Sequence, residues 1–289
     1  MTNLKFVCFG GEPLGVPVLE ELKAKGLQPS LIVASPDRPK GRGQKLATPP
    51  IKDWGVKHNI PIWQPENFKA KAEVEDKLKG NNLFVVVAYG KILPIWLLNL
   101  PKFGSLNLHP SLLPLYRGAS PIRSAILEDN KKAVGVSIIL MDEKMDHGPI
   151  LKQQAMTIAE EDWPPDGRVL DKKLAHLGGV ALANTIPDWV SGHTTPVKQN
   201  HAAATYCSKF EKSIGELKLN PHRLPSGAEA KQCLHKIKAL AGNPGTFFNH
   251  NDRRIKITKA ELTADGNLSI QRIIPAGKAE TDFNKFFQI

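Results

Sequence analysis

Residues 83–88 read LFVVVA, an apolar run rich in β-branched side chains with no position that asks for water. A strand of that kind must be covered on both faces, which happens in a parallel sheet flanked by helices. The run therefore sets the class of the chain as α/β. Similar short runs at 4–9, 31–34, 105–109 and 134–140 alternate with stretches of helical period such as 16–25, 51–59 and 66–79. Strand, turn, helix, strand is the opening of a doubly wound sheet. The first turn reads Gly10-Gly11-Glu12-Pro13. It lacks G-x-G-x-x-G spacing, and Glu12 would repel a pyrophosphate, so a dinucleotide site is excluded.

Leu170, Leu174, Leu177 and Ala181 recur near helical spacing, which predicts a long helix over 166–191. Residues 191–204 then lose periodicity and read as a linker. That divides the chain into a domain at 1–190 and a smaller one at 205–289. The smaller part holds 14 Lys and Arg against 8 Asp and Glu, about half of the formal +11 of the chain. Such an excess favours a polyanionic partner. Its short strands at 245–248, 253–259 and 268–274 are parted by Gly, Asn and Asp turns, with a hairpin turn at Ala264-Asp265-Gly266-Asn267.

Asn107 and His109 are two apart in the run 105–109, so on a strand both side chains share a face. Pro110 ends regular pairing just after them. Asp146 follows the run 134–140 and can reach the same cleft. An amide, an imidazole and a carboxylate together can stabilise an oxyanion and move a proton. The alternative is a His and an Asn finishing a strand-to-loop turn, with Asp146 a turn former before Gly148. Arg117 fits a salt bridge at a helix entry as well as a substrate contact. Residues 121–129 read as that helix, with Ser120 at its N-cap. His147 adjoins Asp146, but neighbouring side chains diverge, so it reads as peripheral. His201 reads as solvated, and His235 as a surface or boundary residue of a helix. Tyr89 and Gly90, after the central strand, are weaker candidates for lining the cleft.

Residues 35–50 hold four prolines and two glycines, with Arg38, Lys40, Arg42 and Lys45 against Asp37 alone. No regular element fits them, and loops beyond about 12–15 residues are often functional. A basic loop beside a cleft suits a phosphate backbone. Cys8, Cys207 and Cys233 form no C-x-x-C, and no His, Cys or Asp grouping has metal-ligand spacing, so no metal is expected. The start lacks the apolar core of a signal peptide, and no run nears the roughly 20 apolar residues of a membrane span. A reducing cytoplasm fits, with no membrane partner.

The run NLHPSLLPLYRGASPI resembles the signature of the tetrahydrofolate-dependent formyltransferases, and MDEKMDHGPIL resembles their second signature. The loop SPDRPKGRGQKLATPPIK resembles the inserted basic loop of the methionyl-tRNA formyltransferase branch. With VVVAYGKILP these matches extend through most of the first 190 residues. The resemblance implies a Rossmann-like formyltransferase domain with a mostly parallel sheet. It implies transfer of a formyl group from 10-formyltetrahydrofolate to methionyl-initiator tRNA by a monomer. Asn107, His109 and Asp146 would be catalytic, and Ser111, Leu112, Leu113 and Pro114 would hold the folate. Arg42 would contact the acceptor arm of the tRNA. ATYCSKF and IIPAGK resemble landmarks of a C-terminal β-barrel, but the segment between them is short, which predicts a small, shortened barrel-like domain for the tRNA. A small amine such as a nucleotide-linked amino sugar is the alternative acceptor; it would not need the basic loop. A non-catalytic RNA-binding protein is a third reading, and it leaves Asn107, His109 and Asp146 without a purpose.

Overall fold

The computed structural model of the chain describes residues 4–11, 13–40 and 44–289. Its first elements are β1 (Phe6–Gly10), α1 (Gly15–Ala24), β2 (Leu31–Ala34), β3 (Arg38–Lys40), β4 (Lys45–Ala47) and α2 (Pro50–Lys57). Then come β5 (Ile62–Trp63), α3 (Lys71–Leu78), β6 (Leu83–Val87), α4 (Ile95–Leu98), β7 (Ser105–His109), β8 (Arg117–Gly118) and α5 (Pro121–Leu127). β9 (Gly135–Leu140), β10 (Ile150–Ala155), α6 (Gly167–Val190) and β11 (Tyr206–Cys207) follow. The chain closes with α7 (Gly227–Ala239), β12 (Thr246–His250), β13 (Arg253–Leu262), β14 (Leu268–Pro275), β15 (Thr281–Asp282) and α8 (Phe283–Phe287).

The main sheet has the order β10-β9-β7-β6-β1-β2-β5. From β7 to β5 the strands run parallel, while β9 and β10 are added antiparallel at one edge. β6 lies between β1 and β7 with all five residues buried, as its unbroken apolar run requires. Phe9, Val33, Phe84 and Val86 share one core with Val74 and Leu78 of α3 and Leu97 of α4. On the opposite face α6 comes close: a Cβ on Gly178 would stand 2.6 Å from the Leu108 side chain, and one on Gly179 2.8 Å from Glu21 of α1. Glycine at both positions lets the helix backbone approach the sheet and its neighbour. Because Leu108 faces α6, its strand neighbours Asn107 and His109 face the other way. Cys8 is fully buried in β1, and loss of hydration pushes its thiol up to about 12, so it is no nucleophile.

Two segments depart from the sequence reading. α3 starts at Lys71, later than the expected 66, because the Pro65 and Glu66 carbonyls accept from Lys91 Nζ at 2.8 and 3.0 Å. The basic stretch 35–50 is not wholly irregular: β3 and β4 form a short antiparallel ribbon in which Arg38 faces Ala47. Pro39 is tolerated there because neither strand belongs to a larger sheet.

The chain divides into two compact units. One gathers the residues up to Ala119 with Gly135–Met156 and Lys172–Tyr206; the other gathers Ser120–Val134, Thr157–Asp171 and Cys207–Ile289. In the second unit β12, β13, β14 and β15 form an antiparallel sheet in that linear order. Ile255 and Ile257 of β13 point into a core with Phe248, Ile273 and, from α7, Ala230, Leu234 and Ile237. Asp129 explains why the earlier segment belongs with α7. Its carboxylate accepts from Trp163 Nε1 at 2.6 Å and pairs with Lys231 Nζ at 3.1 Å. His235 is 3% exposed, which corrects its reading as a boundary residue; its Nδ1 donates to Ile126 O at 2.9 Å, and its Nε2 lies 3.7 Å from Asp129.

Partial burial works to raise the Asp129 pKa, but the Trp163 and Lys231 bonds and the His235 and Lys231 charges outweigh it and hold the group below its ordinary value. A carboxylate depressed in the folded state adds stability that is complete above its unfolded pKa and is lost as pH falls through the folded one. Asp129→Asn should therefore lower the thermal midpoint at pH 7. The gap to the parent should close as the pH drops below the ordinary carboxylate range, as followed by circular dichroism.

Candidate active site

β7 ends at His109, and Ser111 N donates back to His109 O at 3.0 Å, so the chain turns at once after Pro110. β9 runs antiparallel beside it, with Leu140 opposite Leu106 and Ser137 opposite His109. The loop 141–149 thus leaves near the start of β7 and must double back to reach the strand's polar face. It is pinned at its base, where Leu140 N donates to Pro149 O at 3.0 Å and Met141 N to Ser105 O at 2.8 Å. A Cβ on Gly148 would meet Leu140 O at 1.8 Å, so only glycine permits this closure. Asp146, at φ +50°, is the residue the loop carries over β7.

The three sequence candidates come together there. Asn107 Nδ2 donates to Asp146 Oδ1 at 3.2 Å, and Gly118 N donates to Asp146 Oδ2 at 2.8 Å. His109 Nδ1 stands 3.6 Å from the same Oδ2. His109 Nε2 is 2.9 Å from Tyr116 O. A carbonyl can only accept, so Nε2 carries a proton and Nδ1 is left as the nitrogen able to gain or give one. The His109 side chain is 5% exposed and that of Asp146 13%, so these groups act in an environment with little water to screen them. An amide has two N–H groups. Asn107 spends one on Asp146 and keeps a second that can serve an incoming oxyanion.

The loop after the strand is organised from beneath. Ser137 Oγ donates to Ser111 O at 2.7 Å and accepts from Leu113 N at 3.0 Å. Gln153 Nε2 donates to Leu113 O at 2.8 Å and to Ser137 Oγ at 2.9 Å, and Ser111 Oγ donates to Leu115 O at 2.7 Å. Ser111 and Leu113 are buried, while Leu112 and Pro114 keep part of their surface. Tyr89 is 3% exposed and packs against Phe9 at 5.6 Å, within the core of the sheet.

Arg117 is neither of the things its position suggested. It is 1% exposed and bonds neutral groups: Gln199 Oε1 from Nε at 3.2 Å and Nη2 at 2.7 Å, and Tyr206 OH from Nη1 at 3.3 Å. Its Nη2 also donates to His201 Nδ1 at 2.8 Å, and His201 stacks on His147 with ring centres 4.0 Å apart and planes 2° from parallel. His201 is exposed, as expected, and is also engaged on a ring nitrogen and a ring face. Loss of hydration first, then the charges of His147 and Arg117, hold it below the ordinary imidazole value. His147 Nδ1 donates to Asp142 Oδ2 at 2.6 Å.

Arg42 lies outside the described residues. The ribbon that leads to it is tied down at its base. Asp37 accepts from Lys52 Nζ and Gln64 Nε2, each at 2.7 Å, and Gln64 also donates to Ser35 O at 2.8 Å. The Gln64 bond and then the Lys52 bond hold the Asp37 carboxyl below its usual range. Among the described residues no group of His, Cys, Asp and Glu could hold a metal ion, and no helix is long and apolar enough to cross a membrane.

Ser137, Gln153, Tyr116 and Gln199 escaped the sequence reading. Only Ser137 left a signal there, as the single hydroxyl within the apolar run 134–140. It is fully buried and its bonds join β9 to the loop. Ser137→Ala leaves buried partners unpaired and should cost about 1–3 kcal/mol in denaturant unfolding. Ser137→Thr, which keeps the hydroxyl, should recover part of that loss.

Known proteins match most of the chain. Residues 3–186 match the family described as Formyl transferase. The methionyl-tRNA formyltransferase of Hydrogenobaculum sp. (strain Y04AAS1) is 38% identical over 96% of this chain and 87% of its own length. That of Listeria innocua serovar 6a is 33% identical over 98% of this chain and 94% of its own. Among solved structures, the N-formyltransferase of Helicobacter canadensis, in complex with folinic acid and dTDP-3-aminofucose, superposes with a TM-score of 0.64 at 18% identity. It covers 94% of this chain and 100% of that one. HypX of Aquifex aeolicus in complex with tetrahydrofolic acid gives a TM-score of 0.65 at 13% identity, covering 98% of this chain and 46% of that one. At these identities the two structures speak for the fold alone.

Proposed function

The chain belongs to the formyl transferase family, on its methionyl-tRNA formyltransferase branch, and on that premise we propose that it formylates the amino group of methionyl-initiator tRNA from 10-formyltetrahydrofolate. The observation that carries this is identity of 33–38% to enzymes of that name over nearly the full length, through both units and not the first alone. The chain acts in the cytoplasm as a monomer in this reading.

In the reaction the amine nitrogen attacks the formyl carbon and the formyl oxygen becomes an oxyanion. The free N–H of Asn107 donates to it. His109 Nδ1 takes the proton from the attacking nitrogen, and Asp146, 3.6 Å away, stabilises the resulting imidazolium. The same proton passes to the folate nitrogen as its bond to the formyl carbon breaks, so the site ends as it began. Ser111, Leu112, Leu113 and Pro114 form the wall for the folate: the buried pair hold the loop in shape, and the partly buried Leu112 and Pro114 give apolar surface to the pterin. Arg42 and the basic residues of the second unit bind the tRNA backbone.

His109→Ala and Asp146→Asn should each lower turnover about 100-fold or more, and Asn107→Ala by about 100- to 1,000-fold, with folding retained. Turnover is measured with 10-formyltetrahydrofolate and charged initiator tRNA. Near-parental rates in any of the three would remove that residue from the chemistry.

Acceptor identity is tested separately. Arg42→Ala should slow formylation of charged tRNA far more than that of a minimal amine, and tRNA affinity should fall by roughly 0.7–0.9 log units per phosphate contact per log unit of salt. Equal losses on both acceptors would assign the loop to structure, and no loss on either would favour a small nucleotide-linked amino sugar as the substrate.

A further inference from the structure

Asp146 is held by more than the side chains it faces. Gln199 is 6% exposed, and its Nε2 donates to both Asp146 O at 2.8 Å and Gly148 O at 2.7 Å. Its Oε1 accepts two bonds from Arg117. The amide can sit only this way round. Reversed, Oε1 would face two carbonyls and the NH2 would face a guanidinium, leaving buried groups unpaired. Arg117 is followed at once by Gly118, whose N–H holds Asp146 Oδ2 at 2.8 Å. The dipeptide therefore grips Asp146 twice, at the carboxylate directly and at the backbone through Gln199.

The grip meets a need. Asp146 stands at φ +50°, a region an L residue holds only when its surroundings require it. The backbone of the loop that carries it is pinned to its surroundings at its two ends, by the bonds of Leu140 and Met141. Gln199 bonds the turn from within, and its own segment is fixed by paired backbone bonds between Ile150 and Val197, both 2.8 Å. Without the amide the turn could relax toward commoner backbone angles. The carboxylate would then leave Asn107 and His109.

We propose that Gln199, oriented by Arg117, is a positioning residue for the transfer, setting the Asp146 backbone so that its carboxylate meets Asn107 and His109. This rests on the reading of Asp146 as part of the chemistry. Gln199→Met keeps the size of the side chain and removes its donors and acceptor. Its kcat should drop by about 10- to 100-fold while the KM for 10-formyltetrahydrofolate stays within about twofold, since misplacing a reacting group by about 1 Å can cost 100-fold. Gln199→Glu keeps an acceptor for Arg117 but sets a carboxylate against two carbonyls, and should lose kcat in the same way while folding.

The deciding measurement is a double-mutant cycle with Asp146→Asn in single-turnover formylation at excess enzyme. If Gln199 works through Asp146, Gln199→Met should change the residual rate of Asp146→Asn by no more than about twofold. An equal loss in both backgrounds would make Gln199 a general structural residue and overturn the proposal. Parental kcat in both Gln199 variants, with Asp146→Asn impaired, would overturn it while the role of Asp146 stands. Parental kcat in Asp146→Asn would overturn the role of Asp146 and the proposal with it. If Gln199→Met fails to fold, Gln199→Glu carries the cycle.

Discussion

One strand register supports both halves of the candidate site. β9 lies antiparallel to β7 with Ser137 opposite His109 and Leu140 opposite Leu106. The first pairing sets the Ser137 hydroxyl under the loop that follows His109, where it bonds Ser111 and Leu113. The second makes the loop 141–149 begin beside the start of β7, so that its length brings Asp146 back along the strand to Asn107 and His109. A slip of one residue would turn every β9 side chain, Ser137 included, to the other face. The register is itself protected by burial, since five of the six β9 residues, from Gly135 to Ile139, are buried. The geometry of the proposed chemistry is thus a consequence of how an apolar strand must pair between its neighbours β10 and β7.

Much of this was open to reading from sequence because it depends on short-range periodicity. The period of two put Asn107 and His109 on one face, and the unbroken run at 83–88 required a doubly covered central strand. The hairpin turn at Gly266, at φ +73°, was visible for the same local reason. What stayed hidden depends on partners far away in the chain. Arg117 and Gln199 are 82 positions apart, and His235 and Ile126 are 109. No local pattern distinguishes a His on a surface helix from His235, whose burial is settled by Asp129 and Trp163. α3 starts later than its composition suggests because a lysine outside the helix, Lys91, claims the carbonyls of Pro65 and Glu66. Helical composition between 66 and 70 could not reveal that competitor.

Arg117 is an unusual use of a charge. It is among the largest fully buried side chains, and its hydrogen bonds go to an amide, a phenol and an imidazole. A buried guanidinium with neutral acceptors keeps much of its desolvation cost, and comparable buried ions are commonly no more stabilising than apolar groups of the same size. Stability alone is therefore a poor reason for its presence. Its geometry offers a better one. Two N–H groups from one guanidinium fix the Gln199 amide in a single orientation, which a Lys point charge could not do.

The same guanidinium also constrains its imidazole partner. His201 Nδ1 can accept from Arg117 only while that nitrogen is unprotonated, and loss of hydration first, then the charges of His147 and Arg117, hold His201 below the ordinary imidazole value. The His147 ring stacked on it is tied through Nδ1 to Asp142, on the loop that carries Asp146. Arg117 thus reaches that loop by two routes, one through an amide to its backbone and one through stacked rings to a side chain. The amide route ends on Asp146 itself, and the stacked rings brace the residue next to it. Fixing one carboxylate at an unfavourable backbone angle takes this much support because each bond alone is worth only about 0.5–1.5 kcal/mol net.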